Sequence, residues 1–420
     1  MRLAWIFLVP NGQYSDSVWY DGAAANLAAN GVYGLDGPSA WFPPGYPFLL
    51  TAIYKVVGHS ELAGKLANVA ISVALTAGTY LLARPLLGEV VGLVSGALIA
   101  IWPNLIFHTG ILSSDLLAAA GFVVVMWLGM RADSGSRPGW LRAVVLGALL
   151  GWMVLVRPVS LILLASLSLW WWIKNRSLRA AALRCAPVVL VVAIVVGGWT
   201  IRNYLQFGEV ITIATNGGYN FWQTNHRFAD GNDTFWPSVP MDDPEYQTMR
   251  NGDELTKNRE GYRYALAYLR ANPGHLLTML PTKLFWLYHS DTSGFYEGAL
   301  YPPMEGPSPL ADWIDKHDHL IEAATFRYYE ALMALAVIGA VLLLIRRSPP
   351  AWIWPIIALP LLLTFFHLFF HAKDRFHIPL DGIIALLAAV AITELVRAAH
   401  GWVASALRPA FLQQARGEGR

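Results

Sequence analysis

Charge and cysteine are what this 420-residue sequence has least of. Only 14% of its residues are charged, against roughly 25% in a soluble globular chain, while 55% are hydrophobic and the mean hydropathy is +0.43. That balance excludes an ordinary soluble domain and points to a chain that resides in a bilayer. The few charges nearly cancel, with 30 Lys and Arg against 28 Asp and Glu, so the broad basic surface that nucleic acid requires is missing. The single cysteine, Cys185, leaves no intrachain disulfide and no thiolate metal site, and a small buried hydrophobe is expected there. No phosphate-binding glycine loop, dinucleotide fingerprint or Gly-x-Ser-x-Gly elbow occurs, so nucleotide and serine hydrolysis lack support. No internal repeat of fixed period is seen either, which weakens a transporter built from inverted halves.

What is present is a series of long apolar runs. A bilayer core about 30 Å thick takes roughly 20 apolar residues per helix, and nine stretches reach or approach that length, near 60–84, 88–107, 110–131, 140–157, 159–173, 180–201, 325–346, 350–371 and 377–398. Basic residues gather in every second connection: Arg84, then Arg131/Arg137/Arg142, Lys174/Arg176/Arg179/Arg184, Arg346/Arg347 and Arg397/Arg408/Arg416/Arg420. The positive-inside rule places these in the cytoplasm and puts residues 11–59 and 202–324 outside. Residues 203–324 hold 16 acidic and 8 basic residues, which agrees. The expectation is an all-α polytopic membrane protein of about nine or ten transmembrane helices. It divides into an N-terminal transmembrane module 1–201 with external first loop 11–59, a large external region 202–324, C-terminal spans 325–400 and a cytoplasmic tail 401–420. Met1–Pro10 is apolar but would cover only about 15 Å as a helix, so it is expected to be the end of a span that begins upstream. Within the external region, Asp253–Ala271 and His275–Tyr288 have helical periodicity, whereas 216–233 reads as irregular. Loops of this length are usually functional.

Candidate chemistry lies at the external ends of the spans. Asp16, just outside the first apolar segment and before the Ala/Leu stretch Gly22–Ala29, is placed to take a proton from an acceptor hydroxyl or to cap a helix; Asp21, five residues on, reads as solvated. Asp115, in Ser113-Ser114-Asp115, is an acid inside a span, which is costly and by default functional, although a helix N-terminus would offset part of the cost. Arg157, Arg202 and the pair Lys373/Arg375 lie outside against the positive-inside trend, so something anionic is expected to hold them. Arginine suits phosphate because its planar fork donates two parallel hydrogen bonds; snorkelling or pairing with Asp374 is the structural alternative. Trp41-Phe42-Pro43-Pro44-Gly45-Tyr46-Pro47-Phe48 forms a rigid aromatic turn, suited to an interfacial belt or to a wall against a lipid phosphate or sugar. His367, His371 and His377 invite a metal reading, but the zinc-protease glutamate is missing, and no metal or other cofactor is expected; a divalent ion is possible without sequence support. Asn232-Asp233-Thr234 matches a glycosylation acceptor.

Taken in order, Asp16-x-x-x-Tyr20, Pro43-Pro44-Gly45-Tyr46-Pro47, Ser114-Asp115, Arg157-Pro158, Trp199-x-x-Arg202-Asn203-Tyr204, Asn216-Gly217-Gly218 and Arg375-Phe376-x-x-Pro379 resemble the multispan glycosyltransferases of the C fold. More narrowly they resemble the bacterial relatives of dolichyl-phosphate-mannose-protein mannosyltransferases and of the lipid A aminoarabinose transferase. The resemblance implies transfer of a sugar, with inversion, from a polyprenyl-phosphate carrier to a hydroxyl of a lipid, glycan or protein at the external face of a bacterial inner membrane. It makes Asp16 the general base and Asp115 the second-loop acid. Phosphate binding would fall to Arg157, Arg202, Lys373 and Arg375, and substrate contacts to Tyr20, Tyr46 and Asn203. Aminoarabinose-transferase relatives have a lysine where Trp41-Phe42 stand here, which shifts phosphate binding to the arginines. A transporter or flippase of a lipid-linked saccharide is the alternative, since it too would use external arginines and intramembrane acids.

Overall fold

The computed structural model describes residues 1–9, 12–131, 139–231, 239–300 and 309–417; Arg137 and the Asn232-Asp233-Thr234 sequon lie outside them. No β-strand occurs among the described residues. Each of the nine apolar stretches is helical: Glu61–Leu87, Glu89–Ile101 with Pro103–Phe107, Asp115–Arg131, Trp140–Val156, Leu161–Asn175, Leu178–Phe207, Asp318–Leu344, Ile353–Phe369 and Asp381–Gly417. Four helical segments, Glu61–Leu87, Leu178–Phe207, Asp318–Leu344 and the 374–400 stretch, are long and apolar enough to cross a bilayer unaided. The rest are shorter or broken.

Local sequence accounts for most of these boundaries. Ser60 and Ser177 cap their helices by accepting from the Ala63 and Ala180 amides, relieving orphan N–H groups. Gly208, at φ +71, ends the helix Leu178–Phe207 in the left-handed conformation that glycine adopts without strain. The expected 88–107 span is bent by 59°, because Pro103 opens a new helix and pushes Trp102 into an extended conformation, φ −64 and ψ 113. Leu178–Phe207 exposes Leu190, Ile194, Ile201 and Leu205, an apolar face of the kind that meets lipid in a membrane-spanning helix. Asp318–Leu344 meets the helix Asp381–Gly417 at Gly339, where an added Cβ would fall 1.9 Å from the Leu387 carbonyl oxygen. Membrane helices pack this closely through small residues, since apolar area alone does not drive them together in lipid.

The region 202–324 has its own small core of Phe221, Trp222, Val239, Tyr246, Met249 and Ala265, which reaches Phe369 and Phe370 at the end of a span. Glu254–Ala271 and His275–Tyr288 are helices as expected. Asn216–Trp222, read from sequence as irregular, is helical as well. Its glycines serve close packing: a Cβ on Gly218 would fall 1.8 Å from the Asn258 carbonyl oxygen, so the Asn216-Gly217-Gly218 segment docks directly on the helix Glu254–Ala271. The first loop is tied to this region by Glu254, which accepts from the Ser39 hydroxyl at 2.7 Å and the Ala40 amide at 3.1 Å.

Candidate active site

Asp16 opens the helix Asp16–Asn30, and the cap position belongs to Ser15, at φ 54 and ψ −121. That conformation costs a β-carbon residue about 1–3 kcal/mol, and neighbouring contacts hold it. Gln13 accepts from the Leu112 amide at 2.9 Å and donates to the Gly110 carbonyl at 3.2 Å, so the approach to Asp16 is clamped to the approach to Asp115. Arg375 then completes the arrangement. Its Nη2 donates to Asp16 Oδ2 at 2.6 Å, while Nη1 donates to both Glu297 carboxylate oxygens at 3.1 and 3.2 Å.

Beside this ion-paired trio stands a second pair. Asp115 opens the helix Asp115–Arg131, and Arg157 follows directly on Trp140–Val156. Pro158 disfavours helical geometry in the residue before it, so Arg157 is extended, at φ −147 and ψ 120. From there its Nη2 donates to Asp115 Oδ1 at 2.5 Å and its Nε to the Ser114 hydroxyl at 3.0 Å. Phe376 joins the two groups, with the guanidinium carbons of Arg157 and Arg375 each 5.7 Å from its ring centroid, in cation–π range. Tyr20 lies among Asp16, Arg157, Arg375 and Ser114; burial first, and then the Asp16 charge, push its hydroxyl upward, with the two guanidiniums opposing. It is therefore a proton donor at any physiological pH.

The two acids differ in access. The Asp16 side chain is 27% exposed and that of Asp115 only 1%. Three carboxylates and two guanidiniums meet here, and each guanidinium already has a carboxylate. Behind them Tyr20 packs on Phe42 and Tyr46 at centroid distances of 5.1 and 5.8 Å, an aromatic wall supplied by the proline-rich turn.

Other sequence candidates fall elsewhere in the fold. The Arg202 guanidinium donates to the Ser39 carbonyl at 2.9 Å and to Asn203 Oδ1 at 3.0 Å, and lies 4.7 Å from the Trp199 ring. Asn203 donates in turn to the Ile211 carbonyl. Arg202 fastens the first loop to the end of a span, Asn203 ties that end to the segment that follows it, and among the described residues neither hydrogen-bonds to the Asp16 cluster. Tyr46 donates to Asn68 Oδ1 at 3.0 Å and is fully buried. Lys373 is half-buried and directly precedes the short 3-10 helix Asp374–Leu380 that carries Arg375. Asp21, read from sequence as solvated, is buried instead: it accepts from the Tyr54 hydroxyl at 2.5 Å and lies 2.8 Å from His59 Nε2. The three histidines do not converge, since His367 Nδ1 bonds the His371 carbonyl, while His377 turns to a different set of partners. Sequence reading passed over Glu297; an acid in a polar 120-residue loop has no local mark that distinguishes it, and only the fold brings it to Arg375.

Residues 42–199 match the sequence model of the family described as dolichyl-phosphate-mannose-protein mannosyltransferase. No curated protein sequence matches the chain. Among solved structures, the oligosaccharyltransferase of Archaeoglobus fulgidus in its apo form superposes with a TM-score of 0.55 at 13% identity, over 96% of this chain and 49% of that one. The same organism's AglB, in complex with an inhibitory peptide and a dolichol-phosphate, gives a TM-score of 0.50 at 14% identity, over 94% and 48%. ArnT from Cupriavidus metallidurans bound to undecaprenyl phosphate gives 0.47 at 15% identity, over 93% and 76%. The chain spans about half the length of the archaeal enzymes it superposes on. It is a multispan membrane protein with the C-type glycosyltransferase fold, and its residues 42–199 match the sequence model described as dolichyl-phosphate-mannose-protein mannosyltransferase.

Proposed function

We infer that the protein is an inverting glycosyltransferase that moves a sugar from a polyprenyl-phosphate carrier to a hydroxyl acceptor at the external face of the membrane, a bacterial inner membrane with its site toward the periplasm. The observation that carries this reading is the convergence of an accessible carboxylate, Asp16, with two guanidiniums, Arg375 and Arg157, from three sequence-distant segments. Inversion needs one base. The acceptor hydroxyl gives its proton to Asp16, its oxygen forms a bond to the anomeric carbon, and the bond from that carbon to the phosphate oxygen breaks on the opposite side. The leaving polyprenyl phosphate keeps the electron pair. Its growing charge is what a fixed guanidinium stabilises, and Arg375 and Arg157 are the two that face the cluster. Arg375 is paired with Asp16 at 2.6 Å; phosphate binding would draw the guanidinium toward the donor and leave the carboxylate oxygen free to meet the acceptor hydroxyl.

Asp115 orients Arg157 in this reading, being nearly inaccessible itself, and Tyr20 offers a hydroxyl to the sugar or phosphate. Arg202, itself bonded to Asn203, holds the first loop in place. Both acids already have guanidinium partners, so no step is assigned to a metal there. A saccharide transporter would need polar groups spread toward the bilayer midplane, whereas these charges come from helix ends on one side of the bundle.

Membranes containing the wild type or Asp16→Asn, given a panel of labelled polyprenyl-phosphate sugars and an envelope extract as acceptor, test the proposal. Loss of a positioned base lowers transfer by about 10²–10⁴-fold at unchanged protein level. Transfer by Asp16→Asn at the wild-type rate would overturn the base assignment, and a wild type that consumes no donor would overturn the transferase.

A further inference from the structure

Away from that cluster, three groups meet in the closed interior between the helix ends. Asp291, His377 and Asp381 each have zero side-chain exposure, and one ligand atom from each lies within 4.8 Å of the other two. His377 Nε2 is 3.5 Å from Asp291 Oδ1 and 3.7 Å from Asp381 Oδ1. Those separations are too long for hydrogen bonds; His377 Nε2 and both oxygens of Asp381 have no hydrogen-bond partner. Among the described residues, the only ion-pair partner of either aspartate is this imidazole.

The lone pairs of His377 Nε2 and Asp381, buried without a donor beside the Asp291 carboxylate, are costly unless a cation sits between them. A proton shared in a hydrogen bond would draw the atoms to about 2.7–2.9 Å, which is not their spacing. A metal ion fits the spacing. With bonds of about 2.0–2.1 Å, tetrahedral zinc sets its ligand atoms about 3.3–3.4 Å apart, whereas octahedral magnesium would require about 3.0 Å. The observed 3.5 and 3.7 Å lie nearest the tetrahedral edge.

The surroundings also have the form that metal ligands need. His377 Nδ1 is 2.9 Å from the Leu287 carbonyl, to which it donates, so Nε2 carries the lone pair and the tautomer is fixed. Tyr329 stacks on the imidazole at 4.7 Å. Asp291 accepts from Trp102 Nε1 at 2.6 Å and from the Asn104 amide, which fixes the carboxylate plane. Two carboxylates, a neutral imidazole and a divalent ion sum to zero charge, the condition for stable burial. We propose that Asp291, His377 and Asp381 bind one divalent transition-metal ion, zinc by the imidazole donor together with the spacing, with water as the remaining ligand.

This site is separate from the Asp16 and Asp115 acids and would act by position. It would pin three segments: the strand of chain leading to Glu297, the turn that carries Arg375 two residues before His377, and the start of the helix Asp381–Gly417. The ion would thereby hold the Glu297–Arg375 contact in register, and it does not depend on the transfer reaction.

Elemental analysis of the full-length protein, purified in lipid nanodiscs and exposed to stoichiometric zinc, tests this. About one zinc per chain is expected in the wild type and in Asp16→Asn, falling below about a tenth in Asp381→Asn and Asp291→Asn. Retention of zinc by both of those variants, or wild-type protein that takes up none, overturns the proposal. Should the variants fail to fold, the wild type alone decides: a chelator lowers its unfolding temperature and zinc restores it, and an unfolding temperature indifferent to both overturns the site.

Discussion

Asp16 and Asp115 are both acids at helix N-termini on the same side of the bundle, yet their surroundings give them different work. Asp115 is sealed against Arg157, which Ser114 also holds, and removing one partner of such a pair costs about 3–5 kcal/mol because the other is left charged and buried. Asp16 keeps a quarter of its side chain exposed, the access a base requires. The same contrast separates two arginines that look alike in sequence, both outside the positive-inside trend. Arg375 bridges two carboxylates, whereas Arg202 is spent on a backbone carbonyl and an aromatic ring. No local pattern around either residue announces the difference, since it depends on which distant segment comes to meet it. A residue-scale pH effect belongs to His226 in the external region, which stacks on Trp222 at 4.6 Å and accepts the Phe228 amide on Nδ1 at 3.1 Å. Burial holds its imidazole down to about 4, below the ordinary 6.5. The unfolded chain therefore binds a proton that the folded chain refuses between those values, and stability present above pH 6.5 is lost as pH falls toward 4. The drop in unfolding temperature between pH 6.5 and 4.5 will be smaller in His226→Gln than in the wild type; an equal drop would assign the acid sensitivity elsewhere.

Helices were legible because a span must be apolar over a fixed length and must satisfy its own backbone. The nine stretches and two external helices followed from that rule and from periodicity. What the rule does not specify is how an element bends or how closely two elements approach. The break at Trp102 depends on Pro103, a residue that sequence reading leaves inside a continuous run. The contact at Gly339 depends on a neighbour almost 50 positions away. Gly339→Ala places a methyl group against the Leu387 carbonyl, so the helices Asp318–Leu344 and Asp381–Gly417 must separate. Overpacking of this kind costs about 1–3 kcal/mol, and the expected result is a lower unfolding temperature in detergent, while alanine at Gly197, which has open space around its Cα, leaves it close to wild type. Equal unfolding temperatures for the two would contradict the close crossing.

Across the whole molecule, charge sets orientation and the fold sets assembly. By the positive-inside rule, the acidic excess between 203 and 324 and the basic groups in alternate connections predict that the 202–324 region lies opposite Arg346 and Arg347. In a Cys185→Ala background, Arg259→Cys is expected to react with a membrane-impermeant maleimide from the outside, and Arg347→Cys only after the membrane is opened. The reverse pattern would invert the topology and move the candidate site to the cytoplasm. Composition and run length by themselves determined that this chain is an all-α membrane protein, roughly how many helices it has, and which ends of them carry unusual charges, because those properties are summed along the chain. The tertiary structure alone decided that Asp16 meets Arg375 across 359 positions, that Glu297 joins them, and that Asp291, His377 and Asp381 close on one another. These are contacts between side chains whose sequence separation carries no energy of its own, so only packing can select them.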